Sequence, residues 1–248
     1  MRVIIAYSAC PLTRAAFEHH GHEVWTCDLL PARDGSLRHF QCDAWEVLRD
    51  RWDLGILHPM CTNLTVSAAW AFKDPDFVRY PGVGYHQRVK PGTLTGAARR
   101  AAREADLENI RELMDLPYPK VIENPGAGFI SKAIRPADQL IHPYQFGDDA
   151  SKLTGLWLDR VKPLRHTLRV PGRLVAKVGG KWVPYVGEGR PVERWANQTD
   201  SGQNRLSPGE GRWLERSATY PGIAAAMGQQ WGGSDHGGKC DLHTGLLP

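Results

Sequence analysis

Four short apolar runs, Arg2–Ala6, Glu23–Asp28, Leu54–His58 and Lys120–Glu123, alternate with stretches of helix-forming residues. Runs that are apolar at successive positions suit strands buried on both faces, as in parallel sheets covered by helices. The alternation therefore predicts an α/β fold built on a doubly wound sheet. A first helix is expected from about Leu12 to His20, ended by Gly21 as its C-terminal cap. A longer one is expected from about Thr95 to Leu116, where Ala97, Ala98, Ala101, Ala102 and Ala105 favour helix and Leu107, Ile110 and Leu113 form an apolar stripe. Its basic start, Arg99, Arg100 and Arg103, reads as a solvated face. Ligands of such sheets bind outside the carboxyl ends of the strands, so the residues that follow each run matter most.

Two of the runs end in reactive side chains. Asp53–Thr62 reads Asp-Leu-Gly-Ile-Leu-His-Pro-Met-Cys-Thr, and Val121–Pro125 reads Val-Ile-Glu-Asn-Pro, which offers Cys61 and Glu123 to one crevice. A thiolate is a nucleophile for an electron-poor ring, and a carboxyl group can hydrogen-bond or protonate that ring as charge develops. Cys61 follows a strand end and precedes Thr62 and Asn63, which begin a helix or turn; its alternative is a small buried hydrophobe. Asn124-Pro125-Gly126 is expected to form a sharp turn beside Glu123, and burial there to raise the carboxyl pKa. The alternative for Glu123 is a strand-end acid paired with a lysine such as Lys120.

With 248 residues, 42% of them hydrophobic, the chain can bury one sizeable core, and no apolar run approaches membrane-spanning length. A cytoplasmic chain, probing no membrane and monomeric, is the expectation. Five cysteines lack a disulfide-framework spacing, which fits reduced thiols. Net charge is only +4, but Lys162, Arg165, Arg169, Arg173, Lys177, Lys181, Arg190, Arg194, Arg205 and Arg212 fall among Trp182, Tyr185, Trp195 and Trp213. That interleaving suits a groove for a nucleic-acid backbone and unstacked bases; the bland alternative is a solvated basic face over core tryptophans.

The Cys61 and Glu123 motifs resemble the two central motifs of DNA cytosine-5 methyltransferases, in which a Pro-Cys step carries the nucleophile and Glu-Asn the ring-contacting acid. Here Met60 separates the proline from the cysteine. The resemblance covers residues 1–160 in order and implies a small, divergent, phage-like member with a Rossmann-like fold that takes S-adenosylmethionine as donor and DNA as partner. It implies that Tyr7, Ser8, Ala9, Cys10 and Arg14 form the donor loop, with His58 also on the donor side. It further implies that Asp28 binds the ribose and Asp43 the adenine amino group, although Asp43 is also a fair helix N-cap. Lys152 is the nearest residue to replace a missing Gln-x-Arg-x-Arg element and bind the pyrimidine carbonyl. The donor loop lacks the family's glycines, and with Arg14 nearby this leaves room for carboxy-S-adenosylmethionine and a carboxymethyl product.

On this reading residues 1–165 form the catalytic Rossmann-like domain, and 166–200 a reduced target-recognition region with hairpin pieces about Gly179-Gly180. Residues 201–231 return as closing helices, and 232–248 form a mobile tail. A breaker-rich loop from Phe72 to Thr93 follows the nucleophile and is placed to close over an extruded base. His236, Cys240 and His243 lack a fourth ligand at defined spacing, so no metal is expected. Two rival readings are a pyrimidine mononucleotide C5-transferase, suggested by the small recognition region, and an inactive nucleic-acid-binding relative, suggested by Met60 and the missing arginines.

Overall fold

A computed structural model describes residues 1–74, 92–206 and 218–233. Strands β1 (Arg2–Ala6), β2 (Glu23–Cys27), β3 (His39–Phe40), β4 (Leu54–Leu57), β5 (Lys120–Pro125), β6 (Gln139–Ile141) and β7 (Thr154–Asp159) form one sheet in the order β3-β2-β1-β4-β5-β7-β6. The first five run parallel, and β7 is antiparallel to both of its neighbours. Strand order reverses between β1 and β4, so the crevice of this α/β sheet opens there, at the carboxyl ends.

Helices cover both faces, which is why Val3, Ile4, Ile5 and Ala6 of β1 are all fully buried. Ile4 and Ala6 pack with Val47 and Leu48 of α2 (Trp45–Leu48), Leu107, Ile110 and Leu113 of α3 (Gly96–Met114), and Ile130 of α4 (Phe129–Ala133). Val3 and Ile5 point the other way, toward Phe17 of α1 (Pro11–His19) and Ile223, Met227 and Trp231 of α5 (Pro221–Gly232). Each large apolar side chain buried in this way contributes roughly 1.5–3 kcal/mol. The α1–α5 pair is close: a Cβ on Gly228 would lie 2.7 Å from the Ala16 carbonyl oxygen. Gly228→Val is therefore expected to force the helices apart and cost about 1–3 kcal/mol, read as a lower denaturation midpoint at unchanged m-value.

The predicted helices are present with ends shifted by a residue or two, and Gly21 after α1 takes the left-handed conformation (φ 78°). Two features differ from expectation. Glu123 is not followed by a sharp turn: β5 runs on to Pro125, paired with β7 through Asn124↔Gly155 and Pro125↔Thr154. The chain leaves the strand at Gly126, whose N–H donates to the Leu153 carbonyl at 3.1 Å. Arg99 is not solvated either, being 5% exposed.

Within the region expected to recognise the target, β8 (Arg173–Val178), β9 (Lys181–Pro184) and β10 (Val192–Arg194) form a separate antiparallel sheet in the order β10-β8-β9. Gly179 and Gly180, both at positive φ, turn the β8–β9 hairpin. Of the closing helices, α5 is observed, while residues 207–217 lie outside the described residues. So do most of the loop between Phe72 and Thr93, nearly all of the tail, and His236, Cys240 and His243. Among the described residues no helix is long and apolar enough to cross a membrane.

Candidate active site

β4 and β5 are parallel neighbours with Leu57 opposite Ile122, so His58 stands level with Glu123 and Pro59 with Asn124. The side chains complete what the register begins. His58 Nδ1 lies 2.8 Å from Glu123 Oε2, and Asn124 Nδ2 donates to the Pro59 carbonyl at 2.9 Å. Lys152 Nζ, from the loop before β7, lies 3.8 Å from Glu123 Oε1. Cys61 is exposed two residues beyond the clamped proline. The strand register thus carries both motifs to one edge of the crevice.

Glu123 has the reverse of the expected electrostatics. Burial pushes its carboxyl up, but the His58 imidazole, as a neighbouring cation and N–H group, and then the Lys152 ammonium outweigh it and hold the pKa at about 2. Burial without a charged neighbour would have given the raised value. The carboxylate pairs with His58 and Lys152; Lys120 instead donates to Asp159 Oδ2 at 2.5 Å and to the Leu116 carbonyl at 2.7 Å. Among the described residues, His58 Nε2, Glu123 Oε2 and Asn124 Oδ1 are buried with no aligned hydrogen-bond partner. His58 Nδ1 therefore lies within hydrogen-bonding distance of Oε2 without the alignment of a straight N–H···O bond. Three buried polar atoms left in this condition at one strand end mark a place where substrate or solvent polarity is wanted.

The segment after Cys61 is a turn followed by a 3-10 helix over Val66–Phe72, held from outside by residues that sequence reading passed over. Arg99 Nη2 donates to the Thr62 carbonyl at 2.7 Å, and Asn63 Nδ2 to Asp106 Oδ2 at 2.9 Å, both anchors on α3. Phe129 N–H, at the start of α4, donates to the Leu64 carbonyl at 2.8 Å. With Pro59 tied to Asn124, the backbone on both sides of Cys61 is fixed while the residue stays exposed. Arg99 looked like surface charge because a helical pattern shows which residues are polar, not which backbone carbonyls wait for a donor.

No protein-family model and no curated protein matches this chain. The chemistry of the site therefore rests on its residues.

Around the β1 end, Tyr7 is one of two non-glycine residues at positive φ among the described residues (60°), where a side chain costs energy. Its hydroxyl donates to Asn109 Oδ1 at 3.4 Å, and burial pushes its pKa up to about 12. Ser8 N–H donates to the Cys27 carbonyl, Ser8 Oγ accepts from Cys10 N–H, and Ala9 and Cys10 are buried at the start of α1. Among the described residues no side-chain cap bond closes the first turn of α1, which begins at Pro11 after Cys10.

Four residues expected on the donor side have partners within the chain. Arg14 donates to both Glu18 carboxylate oxygens and to Asp34, because α1 sets it one turn before Glu18. His58 is directed at Glu123 by the β4–β5 register. Asp43 is exposed, and its Oδ1 accepts the Trp45 N–H at 2.8 Å in a local turn ahead of α2, whose N-cap position is Ala44 rather than Asp43. Asp28, just past β2, uses Oδ1 to accept the Leu30 N–H at 2.9 Å.

The basic residues of the small sheet divide in two. Arg169 pairs with Glu193, Arg173 with Asp200 and the Trp195 and Gln198 carbonyls, and Arg194 lies over the Trp182 ring while donating to the Asp200 carbonyl. Trp195 is buried, stacked 3.9 Å from Tyr144, so it is core and not a base platform. Lys162, Arg165, Lys177, Lys181 and Arg190 remain exposed.

Proposed function

We propose that the chain is a DNA cytosine-5 methyltransferase that works through Cys61. The observation that carries the reading is an exposed cysteine and a buried, ionised carboxylate at the carboxyl ends of adjacent parallel strands, tied together by Asn124 across to Pro59. A thiolate at Cys61 adds to carbon 6 of cytosine, forming an S–C bond and moving the ring's π electrons to carbon 5. Glu123, an anion, accepts hydrogen bonds from the ring edge and stabilises the ring when its nitrogen takes a proton from solvent water. Lys152 supplies positive charge beside the pyrimidine carbonyl. Once carbon 5 carries the new methyl group, its proton passes to solvent water, the C–H electron pair re-forms the 5,6 double bond, and the C6–S bond breaks to release the thiolate. Duplex DNA has to release the base from the stack, since carbon 6 is otherwise covered.

S-adenosylmethionine, when bound, supplies the electrophilic methyl group. The uncapped first turn of α1 fits the donor's carboxylate, and Asp28 fits a ribose hydroxyl. Arg14 is already neutralised by Glu18 and Asp34, which favours the methyl donor over carboxy-S-adenosylmethionine. Asp28→Ala is expected to weaken donor binding by about 1–3 kcal/mol in calorimetry while DNA affinity without donor stays unchanged.

The deciding experiment offers purified protein S-adenosylmethionine or its carboxylated form, with DNA or cytosine mononucleotide, and weighs the product nucleosides. 5-Methylcytosine from DNA supports the proposal. Product from the mononucleotide alone transfers the chemistry to the nucleotide rival, 5-carboxymethylcytosine to the charged donor, and no product with any pair leaves a nucleic-acid-binding role.

A further inference from the structure

The segment that follows the three-stranded sheet is tied to the candidate active site chiefly through Asn197. Asn197, three residues beyond β10, accepts the Ser151 N–H on Oδ1 at 2.9 Å and donates from Nδ2 to the Ser151 carbonyl at 3.0 Å. Both polar groups of one residue are thus held by both ends of one amide side chain. The next residue is Lys152, whose ammonium lies 3.8 Å from Glu123. Neighbouring ties fix the same loop: Ala196 N–H donates to Asp149 Oδ1 at 2.9 Å, and Tyr144 stacks on Trp195 with ring planes 7° apart. Among the described residues these bonds join the 149–152 loop to residues 195–197, while Lys152 itself makes its charge contact only with Glu123, which also faces His58.

We propose that Asn197 is a positioning residue that sets Lys152 against Glu123, so that the small sheet governs a side chain of the active site as well as any contact it makes with DNA. The inference rests on the methyltransferase reading for what Lys152 does to substrate, not for how Lys152 is held. A lysine has four side-chain torsions and loses rotamer freedom when pinned; fixing its backbone on both hydrogen-bonding groups of the preceding residue removes part of that cost beforehand. A long cation on a loop tied to a second sheet will also shift whenever that sheet moves, which couples binding there to the charge around Glu123.

The test separates the two layers. Reductive methylation with labelled formaldehyde gives each lysine an NMR signal, and Lys152→Arg assigns the one belonging to Lys152. In the parent protein that signal is expected apart from those of exposed lysines such as Lys177 and Lys181, and Asn197→Ala is expected to move it toward them. Asn197→Asp, which keeps the acceptor for Ser151 N–H and loses the donor, is expected to lie between; it also serves if the alanine variant does not fold. Single-turnover transfer should fall about ten- to a hundredfold in Asn197→Ala at unchanged DNA affinity, with little further loss in a Lys152→Met background. An unmoved Lys152 signal in folded Asn197→Ala, or rate losses that add fully, would overturn the proposal. Because the NMR arm needs no turnover, it judges the coupling even if no methyl transfer occurs.

Discussion

Cys61→Ser is expected to lower methyl transfer at least about a thousandfold, roughly 4 kcal/mol of transition-state stabilisation, because a hydroxyl is a far weaker nucleophile than a thiolate. Folding and donor binding should be nearly unchanged. Cys61 is exposed, and the turn around it is held by Arg99, Asp106, Phe129 and Asn124. DNA carrying 5-fluorocytosine should trap the parent protein as a stable covalent adduct, since fluorine in place of the departing proton blocks elimination. The serine variant should form none. Intact-mass measurement of protein and DNA reads both results, and turnover retained by the serine variant would remove Cys61 from the mechanism.

Glu123→Gln is expected to slow the chemical step ten- to a hundredfold, about 1.4–2.8 kcal/mol, with a much smaller effect on DNA binding. The amide can accept one hydrogen bond but cannot balance a protonated ring. The same change leaves His58 and Lys152 facing an uncharged group, so stability should fall at neutral pH as well. The pH dependence follows from the sign of the shift. The folded-state pKa of about 2 lies below the ordinary 4.5, so the stabilisation from Glu123 is fully present above about pH 4.5 and is lost as pH falls toward 2. Denaturant titrations between pH 3 and 7 should therefore show parent and variant converging on the acid side. Between pH 5 and 8 the rate profile should carry no inflection from Glu123 in the unliganded protein, in contrast to a carboxyl whose pKa burial had raised.

The apolar runs at Arg2–Ala6, Leu54–Leu57 and Lys120–Glu123 were legible in the sequence because a strand buried on both faces must be apolar at successive positions, whatever packs on it. Local patterning also determined α1 and α3, with Leu107, Ile110 and Leu113 turned inward as their spacing requires. That Cys61 follows β4 and Glu123 lies toward the carboxyl end of β5 followed from the same runs, although β5 continues two residues past Glu123. What each carboxylate, guanidinium and imidazole touches did not. His58 and Glu123 are 65 positions apart, and only the β4–β5 register brings them within 2.8 Å, reversing the direction in which burial alone would move the carboxyl. Arg14 reads as a cation available to a donor until α1 and the Asp34 loop surround it, and Arg99 as a surface charge until Thr62 offers its carbonyl. Strands β6 and β7 and the Asn197 clamp likewise depend on partners far along the chain. Periodicity records which face of an element is covered; the charge and contacts of a buried polar group depend on which side chains the tertiary fold sets against it, and that choice is made only when distant strands pair.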